Sequence, residues 1–148
     1  MNGEQIFFED VKEGMELPGL SFGPITTEHL VRWACARRNY HPIHYDKDFA
    51  KGQGLPDVVV QGPFKLGLLD RMMRDWVGEY GWLKKIDCNY RGLDVPGNVL
   101  TCKGKVVTKC SEEGEGHVHC EIWVQNQKGE VTTKGTAIVM LTSRKKSA

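Results

Sequence analysis

Val118, Cys120, Ile122 and Val124 alternate with His117, His119, Glu121 and Trp123. A period of two puts the two sets on opposite faces of a strand, so this stretch predicts a half-buried β-strand over His117 to Asn126. His117 and His119, opposite the apolar set, are expected at the surface. Similar runs predict strands from Trp82 to Arg91, Val99 to Cys110 and Val131 to Leu141. Turn residues stand between them at Val95-Pro96-Gly97-Asn98 and Gln127-Lys128-Gly129. Consecutive strands joined by short turns imply an antiparallel sheet.

Upstream the period changes. Phe64, Leu66, Gly67, Leu68, Leu69, Met72, Met73 and Trp76 are apolar around much of a helical circumference. They predict one long buried helix, about Pro63 to Val77, with Pro63 in the first turn and Gly78 and Gly81 as the stop. The simplest cover for such a helix is the sheet, giving an α+β fold wrapped around it. Thr26 and Thr27 can cap an earlier helix that carries Leu30, Val31, Trp33 and Ala34 on one face and ends near Arg37. Asp46 can cap a short helix from Lys47 to Lys51. One sheet around one helix leaves a face or an edge open, so a dimer is expected.

Between the first two helices lies Asn39-Tyr40-His41-Pro42-Ile43-His44-Tyr45-Asp46. Pro42 fixes its own φ and pushes His41 toward extended geometry, so no helix runs through. The result is a rigid turn presenting an amide and two imidazoles, and rigid presentation of a titratable group suits proton transfer.

Composition narrows the class. The 148 residues are 40% hydrophobic and 26% charged with a net charge of +1, the profile of one ordinary globular domain over 1–148. Nothing here supplies a basic footprint for nucleic acid, and Arg144-Lys145-Lys146 reads as a solvated end. No apolar run is long enough to span a membrane, and the opening residues are too acidic for a signal peptide. A cytoplasmic location is expected. Cys35, Cys88, Cys102, Cys110 and Cys120 are odd in number with no CxxC pairing. That argues against a disulfide framework or zinc site and for mostly buried, apolar-like thiols.

Taken with the element order, these residues resemble the MaoC-like (R)-specific enoyl-CoA hydratases and dehydratases, which have the hot-dog fold. Arg37 to Asp46, with Phe49-Ala50 behind, stands at the family signature, and Val60-Gln61-Gly62 and Val95 to Leu100 match further along. Phe8 to Gly14 and Pro24-Ile25-Thr26 resemble the family too, so the likeness covers nearly the whole chain. Arg74 to Gly78, with Lys51 to Val60, is similar to short subunits of heteromeric hydratases acting on steroid side-chain CoA esters.

The resemblance implies syn addition of water across the C2–C3 bond of a trans-2-enoyl-CoA, or the reverse. It implies His44 as the family histidine and Gly62 as the glycine whose N–H faces the thioester oxygen. His41 and Gln61 become the candidate substrate-binding residues. No metal or redox cofactor is implied, since the CoA thioester enters as substrate. The partner implied is a second copy or another MaoC-like chain. Asp46 and Phe49 match the signature and read as a helix cap and a core anchor.

The sequence departs from the family at its catalytic aspartate, which falls on Asn39. An amide can orient a water but has no useful basicity near neutral pH. The family asparagine falls on His41, and its small–Gly pair on Arg37-Arg38. Three readings stay open: a hydratase relying on His44, alone or with His41; a catalytically weak partner subunit or acyl-CoA-binding module; or an amide introduced into an ordinary enzyme. A hot-dog thioesterase is the alternative reaction, since fold alone does not set chemistry. Asp70 reads as an exposed helix residue beside Arg71 and Arg74, with a cleft position as the alternative. Lys84, Lys85, Arg91 and Lys103 read as solvated, with the CoA phosphates as their alternative partner.

Overall fold

The structure is a computed structural model that describes residues 5–112 and 115–144. The tail residues Lys145 and Lys146 lie outside the described residues. The elements run β1 (Leu20–Phe22), α1 (Thr27–Arg37), α2 (Lys47–Gly52), α3 (Gly62–Val77), β2 (Trp82–Tyr90), β3 (Leu100–Glu112), β4 (Glu115–Gln125) and β5 (Val131–Leu141). Short 3-10 turns occupy Phe8–Asp10 and Pro42–His44.

All strand pairs are antiparallel, in the order β1-β3-β4-β5-β2. The alternation that predicts β4 decides how the sheet packs. Cys102 and Val106 of β3, Val118, Cys120, Ile122 and Val124 of β4, and Ala137, Val139 and Leu141 of β5 are all buried. They meet Leu68, Leu69, Met72, Met73 and Trp76 of α3 in one core cluster. Each fully buried Val, Leu, Ile or Met side chain among them stabilises the fold by about 1.5–3 kcal/mol. The result is the expected α+β hot-dog arrangement, a sheet around one helix. β1 is the element the sequence does not announce: three residues held by pairing with β3.

Local signals explain where the helices begin and stop. Thr26 accepts from the His29 N–H, and Thr26 N–H donates back to His29 Nδ1 at 3.0 Å, a reciprocal cap on α1. Asp46 accepts from Phe49 N–H at 2.9 Å and caps α2 as expected. At the far end of α3, the Gln5 side chain accepts from the N–H groups of Glu79 and Tyr80 and donates to Val77 O.

Several expectations need correction. His117 is only 6% exposed and His119 is half-buried. His117 stands in register between Cys110 and Met140, with Trp82 beyond, so bulky cross-strand neighbours cover that end of the outer face. Phe49 is no core anchor: it is 39% exposed, because α2 is short and buries only Ala50. Of the expected apolar face of α1, Leu30 and Ala34 are buried but Val31 is exposed. Arg144 is exposed, as expected, and forms a surface ion pair with Asp10 at 2.6 Å. Of the cysteines, Cys102 and Cys120 are buried, and burial pushes both thiols up to about 12. Cys88 and Cys110 are half-buried, and Cys35 is exposed.

The end of α1 stores strain. Arg38 closes the helix in the left-handed region (φ 52°), donating its N–H to Ala34 O. That conformation costs a non-glycine L-residue roughly 1–2 kcal/mol. Arg38→Gly is therefore expected to stabilise the protein by about 1 kcal/mol in denaturant titration, after the entropic cost of glycine is subtracted.

Candidate active site

Pro42 works as the pattern requires. His41 is extended (φ −66°, ψ 125°), and Pro42 starts a single 3-10 turn ending at His44. Pro42 O accepts from both Tyr45 N–H (3.1 Å) and Asp46 N–H (2.8 Å), which closes the turn and leads directly into the α2 cap. His41 Nδ1 accepts from Ile43 N–H at 3.4 Å, and Asn39 Oδ1 accepts from His41 N–H at 3.5 Å. Asn39 N–H itself donates to Ala34 O, so the residue finishes α1. The His41 and His44 rings have centroids 6.3 Å apart, and the His41 and Phe49 rings 6.0 Å.

His44 reaches across to a different part of the chain. Its Nδ1 lies 2.7 Å from Val59 O. A carbonyl can only accept, so Nδ1 carries a proton, and in the neutral ring the lone pair is on Nε2. The neighbouring main chain adds a second tie, Val59 N–H to Ile43 O at 3.0 Å. From Val59 the chain passes through Val60 and the extended Gln61, the N-cap, and enters α3 at Gly62. The first N–H groups of a helix have no intrahelical acceptor and sit at the positive end of its dipole, so this tip favours an anion.

Gly62 must be a glycine for a packing reason. A Cβ placed there would lie 2.6 Å from Cδ2 and Cε2 of Tyr90, whose ring covers the helix tip from the end of β2. Desolvation, then a hydrogen bond with Cys88, raises the Tyr90 hydroxyl to about 12, so it remains a protonated donor. Gln61 turns inward: it is 2% exposed, its Nε2 donates to Leu30 O at 3.5 Å, and its Oε1 is buried without a partner.

Thus the fold links Asn39, His41 and His44 within one turn and ties His44 to the segment that leads into Gly62. Gln61 is close in sequence but faces the interior. Asp70 pairs with Arg74 at 2.8 Å on the outer side of α3, the plainer of its two readings. Lys84, Lys85, Arg91 and Lys103 are exposed. Two cavities, of about 440 and 330 Å³, lie elsewhere, one lined by Asn89, Trp123 and Lys134 and the other by Tyr80, Trp82 and Met140. Among the described residues no three or more His, Cys, Asp or Glu side chains gather as around a metal ion.

Sequence reasoning passed over Tyr90 and a buried pair, Lys65 with Asp94. For Lys65 the signal available was a cation among the apolar residues of the first turn of the helix. For Tyr90 there was none, because its partner Gly62 is distant in sequence.

The sequence comparisons point to one family, and the solved structures share the fold. A sequence profile described as hydroxyacyl-thioester dehydratase type 2 matches residues 20–99. The 3-oxo-4,17-pregnadiene-20-carboxyl-CoA hydratase beta subunit of Mycobacterium tuberculosis is 35% identical over 114 residues, covering 75% of this chain and 83% of that protein. The ChsH1-ChsH2 complex from Mycobacterium tuberculosis superposes with a TM-score of 0.76 at 24% identity, over 88% of this chain and 98% of that one. The unliganded R-hydratase PhaJ1 from Pseudomonas aeruginosa gives a TM-score of 0.83 at 17% identity, over 95% and 88%. At these identities the two structures bear on the fold alone.

The Gly62–Tyr90 contact can be tested by a double-mutant cycle. Gly62→Ala is expected to destabilise by about 1–3 kcal/mol, as overpacking does. In a Tyr90→Ala background the same change should cost much less, a coupling read directly from the denaturation midpoints.

Proposed function

Because the chain belongs to the hydroxyacyl-thioester dehydratase type 2 family, we propose that it adds water reversibly across the C2–C3 double bond of a trans-2-enoyl-CoA, giving the (R)-3-hydroxyacyl thioester. The observation that carries this reading is the His44 Nδ1 to Val59 O bond, made three positions before the α3 tip at Gly62, which places the proton of the neutral ring on Nδ1.

In the proposed reaction Nε2 of His44 takes a proton from water as the water oxygen bonds to C3. The π electrons move toward C1, and negative charge develops on the thioester oxygen. Gly62 N–H faces that oxygen, where the helix dipole and unpaired N–H groups act on charge as it forms. The imidazolium then returns its proton to C2. One proton leaves water and one reaches carbon on the same face, so a single imidazole serves both steps of a syn addition. Asn39 and His41 orient the water by hydrogen bonding, since an amide cannot act as base.

The working form includes a second MaoC-like chain, a copy or a different subunit. Strand β2 is a sheet edge, and Tyr40, Tyr45, Phe49, Tyr90 and Leu93 are exposed around the candidate site. A CoA ester of a steroid side chain is the substrate class suggested by the beta-subunit relative. One observation favours a second reading: with Asn39 in place of a carboxylate, the chain would be the weaker partner of a heteromeric hydratase.

Incubation with crotonyl-CoA and longer enoyl-CoAs separates these readings. Loss of the enoyl thioester absorbance without free thiol supports hydration, whereas released CoA indicates a thioesterase. Turnover that appears only when another MaoC-like chain is added supports the partner reading. In the weak-partner reading Asn39→Asp is expected to raise kcat by about 10²–10⁴-fold, the usual worth of a general base; with His44 as the base it changes kcat little, and His44→Ala lowers it by that factor instead. A His44→Ala variant as fast as an active parent would contradict the role given to His44.

A further inference from the structure

Beneath the α3 tip lies a charged cluster that takes no part in the proposed proton transfers. Lys65 Nζ sits 3.0 Å from Asp94 Oδ2 and also donates to Gly92 O at 3.0 Å. Thr132 Oγ1 donates to the same carboxylate oxygen at 2.6 Å. Lys65 is 1% exposed and Asp94 0%. The second oxygen, Asp94 Oδ1, is buried with no hydrogen-bond partner.

Stability does not account for this cluster. Removing two charges from water costs about as much as their attraction returns, and well-packed apolar side chains of equal volume commonly do as well or better. The unpaired Oδ1 adds a further cost. A cation in the first turn of a helix also opposes the macrodipole. Direction is what the cluster offers and apolar packing does not: an ammonium held by two acceptors cannot slide.

The place of the cluster shows what that direction fixes. Lys65 stands three residues after Gly62, within the first turn of α3. Asp94 also holds the preceding segment through its main chain, since Val60 N–H donates to Asp94 O at 2.8 Å. The adjacent residue, Val59, is the one bound by His44. Two neighbouring residues are therefore gripped by different elements, Val59 by the Pro42 turn and Val60 by the loop of Asp94. The ion pair then clamps that same loop to the helix. A continuous path runs from Lys65 through Asp94, Val60 and Val59 to His44.

We propose that Lys65, Asp94 and Thr132 are positioning residues, which lock the Gly62 tip of α3 in place relative to His44. The inference rests on the hydration reading of that site, and it names groups that touch neither water nor thioester.

The test is the double variant Lys65→Met/Asp94→Asn, which removes both charges together and keeps both volumes. Lys65→Met alone would strand a buried carboxylate and unfold the protein, so it is uninformative by itself. Three quantities are read: the thermal midpoint, the amide resonance of Gly62, and kcat and KM with crotonyl-CoA. The double variant is expected to fold with a midpoint near that of the parent and to show a shifted Gly62 amide. Its kcat should fall by roughly 10²-fold, the cost of a misplacement of about 1 Å, with KM little changed. Failure of the double variant to fold would overturn the proposal by making the pair a stability element. So would a kcat close to the parent's, whether or not the Gly62 amide moves. If the parent hydrates no enoyl thioester, the functional reading falls on its own. An unmoved Gly62 amide in the folded variant would still show separately that the clamp fixes nothing.

Discussion

Everything at the candidate site depends on one hydrogen bond, from His44 Nδ1 to the carbonyl of Val59 at 2.7 Å. It fixes the tautomer, since the acceptor has no proton to give. It fixes the ring's direction, since both ends belong to rigid backbone: the Pro42 turn on one side and the extended entry to α3 on the other. It also limits distance, since only two residues, Val60 and Gln61, separate Val59 from the helix tip at Gly62. A side chain on a mobile loop would reach the same place only part of the time, and proton transfer requires it there at each encounter.

The surrounding fold serves that bond. The period-two pattern of β3, β4 and β5 wraps an apolar face around α3, and the core so formed holds the helix as a fixed axis. The Pro42 turn is braced by Asp46, which caps α2, and by Asn39, whose N–H closes α1. In the proposed reaction Asn39 contributes by holding water rather than by taking its proton, and His44 carries the whole proton transfer. That division of labour follows from side-chain chemistry: the amide and the carboxylate share a shape but not a basicity.

Much of this was legible in the sequence, for physical reasons. Alternation in β4 and the dense apolar surface of α3 are long-period signals, and the structure follows them to within a residue or two. Pro42 and Asp46 act through local backbone geometry, so their turn and cap could be read directly. What could not be read depends on contacts distant in sequence. β1 exists only because β3 pairs with it. Phe49 matched a signature position yet lies on a helix too short to bury it. His117 alternated as a surface residue should, but it is buried where it stands in register between Cys110 and Met140 of the neighbouring strands. Lys65 and Asp94, 29 residues apart, reveal themselves only once the chain has folded.

The most direct measurement is the tautomeric state of His44, read from long-range proton–nitrogen NMR correlations of its ring in the native protein. The expected result is a neutral imidazole with its proton on Nδ1 and a bare Nε2, held in one state while the unfolded chain shows a mixture. A proton found on Nε2, or rapid exchange between both tautomers in the folded protein, would mean that the Val59 carbonyl does not hold the ring. The candidate site would then lack its base.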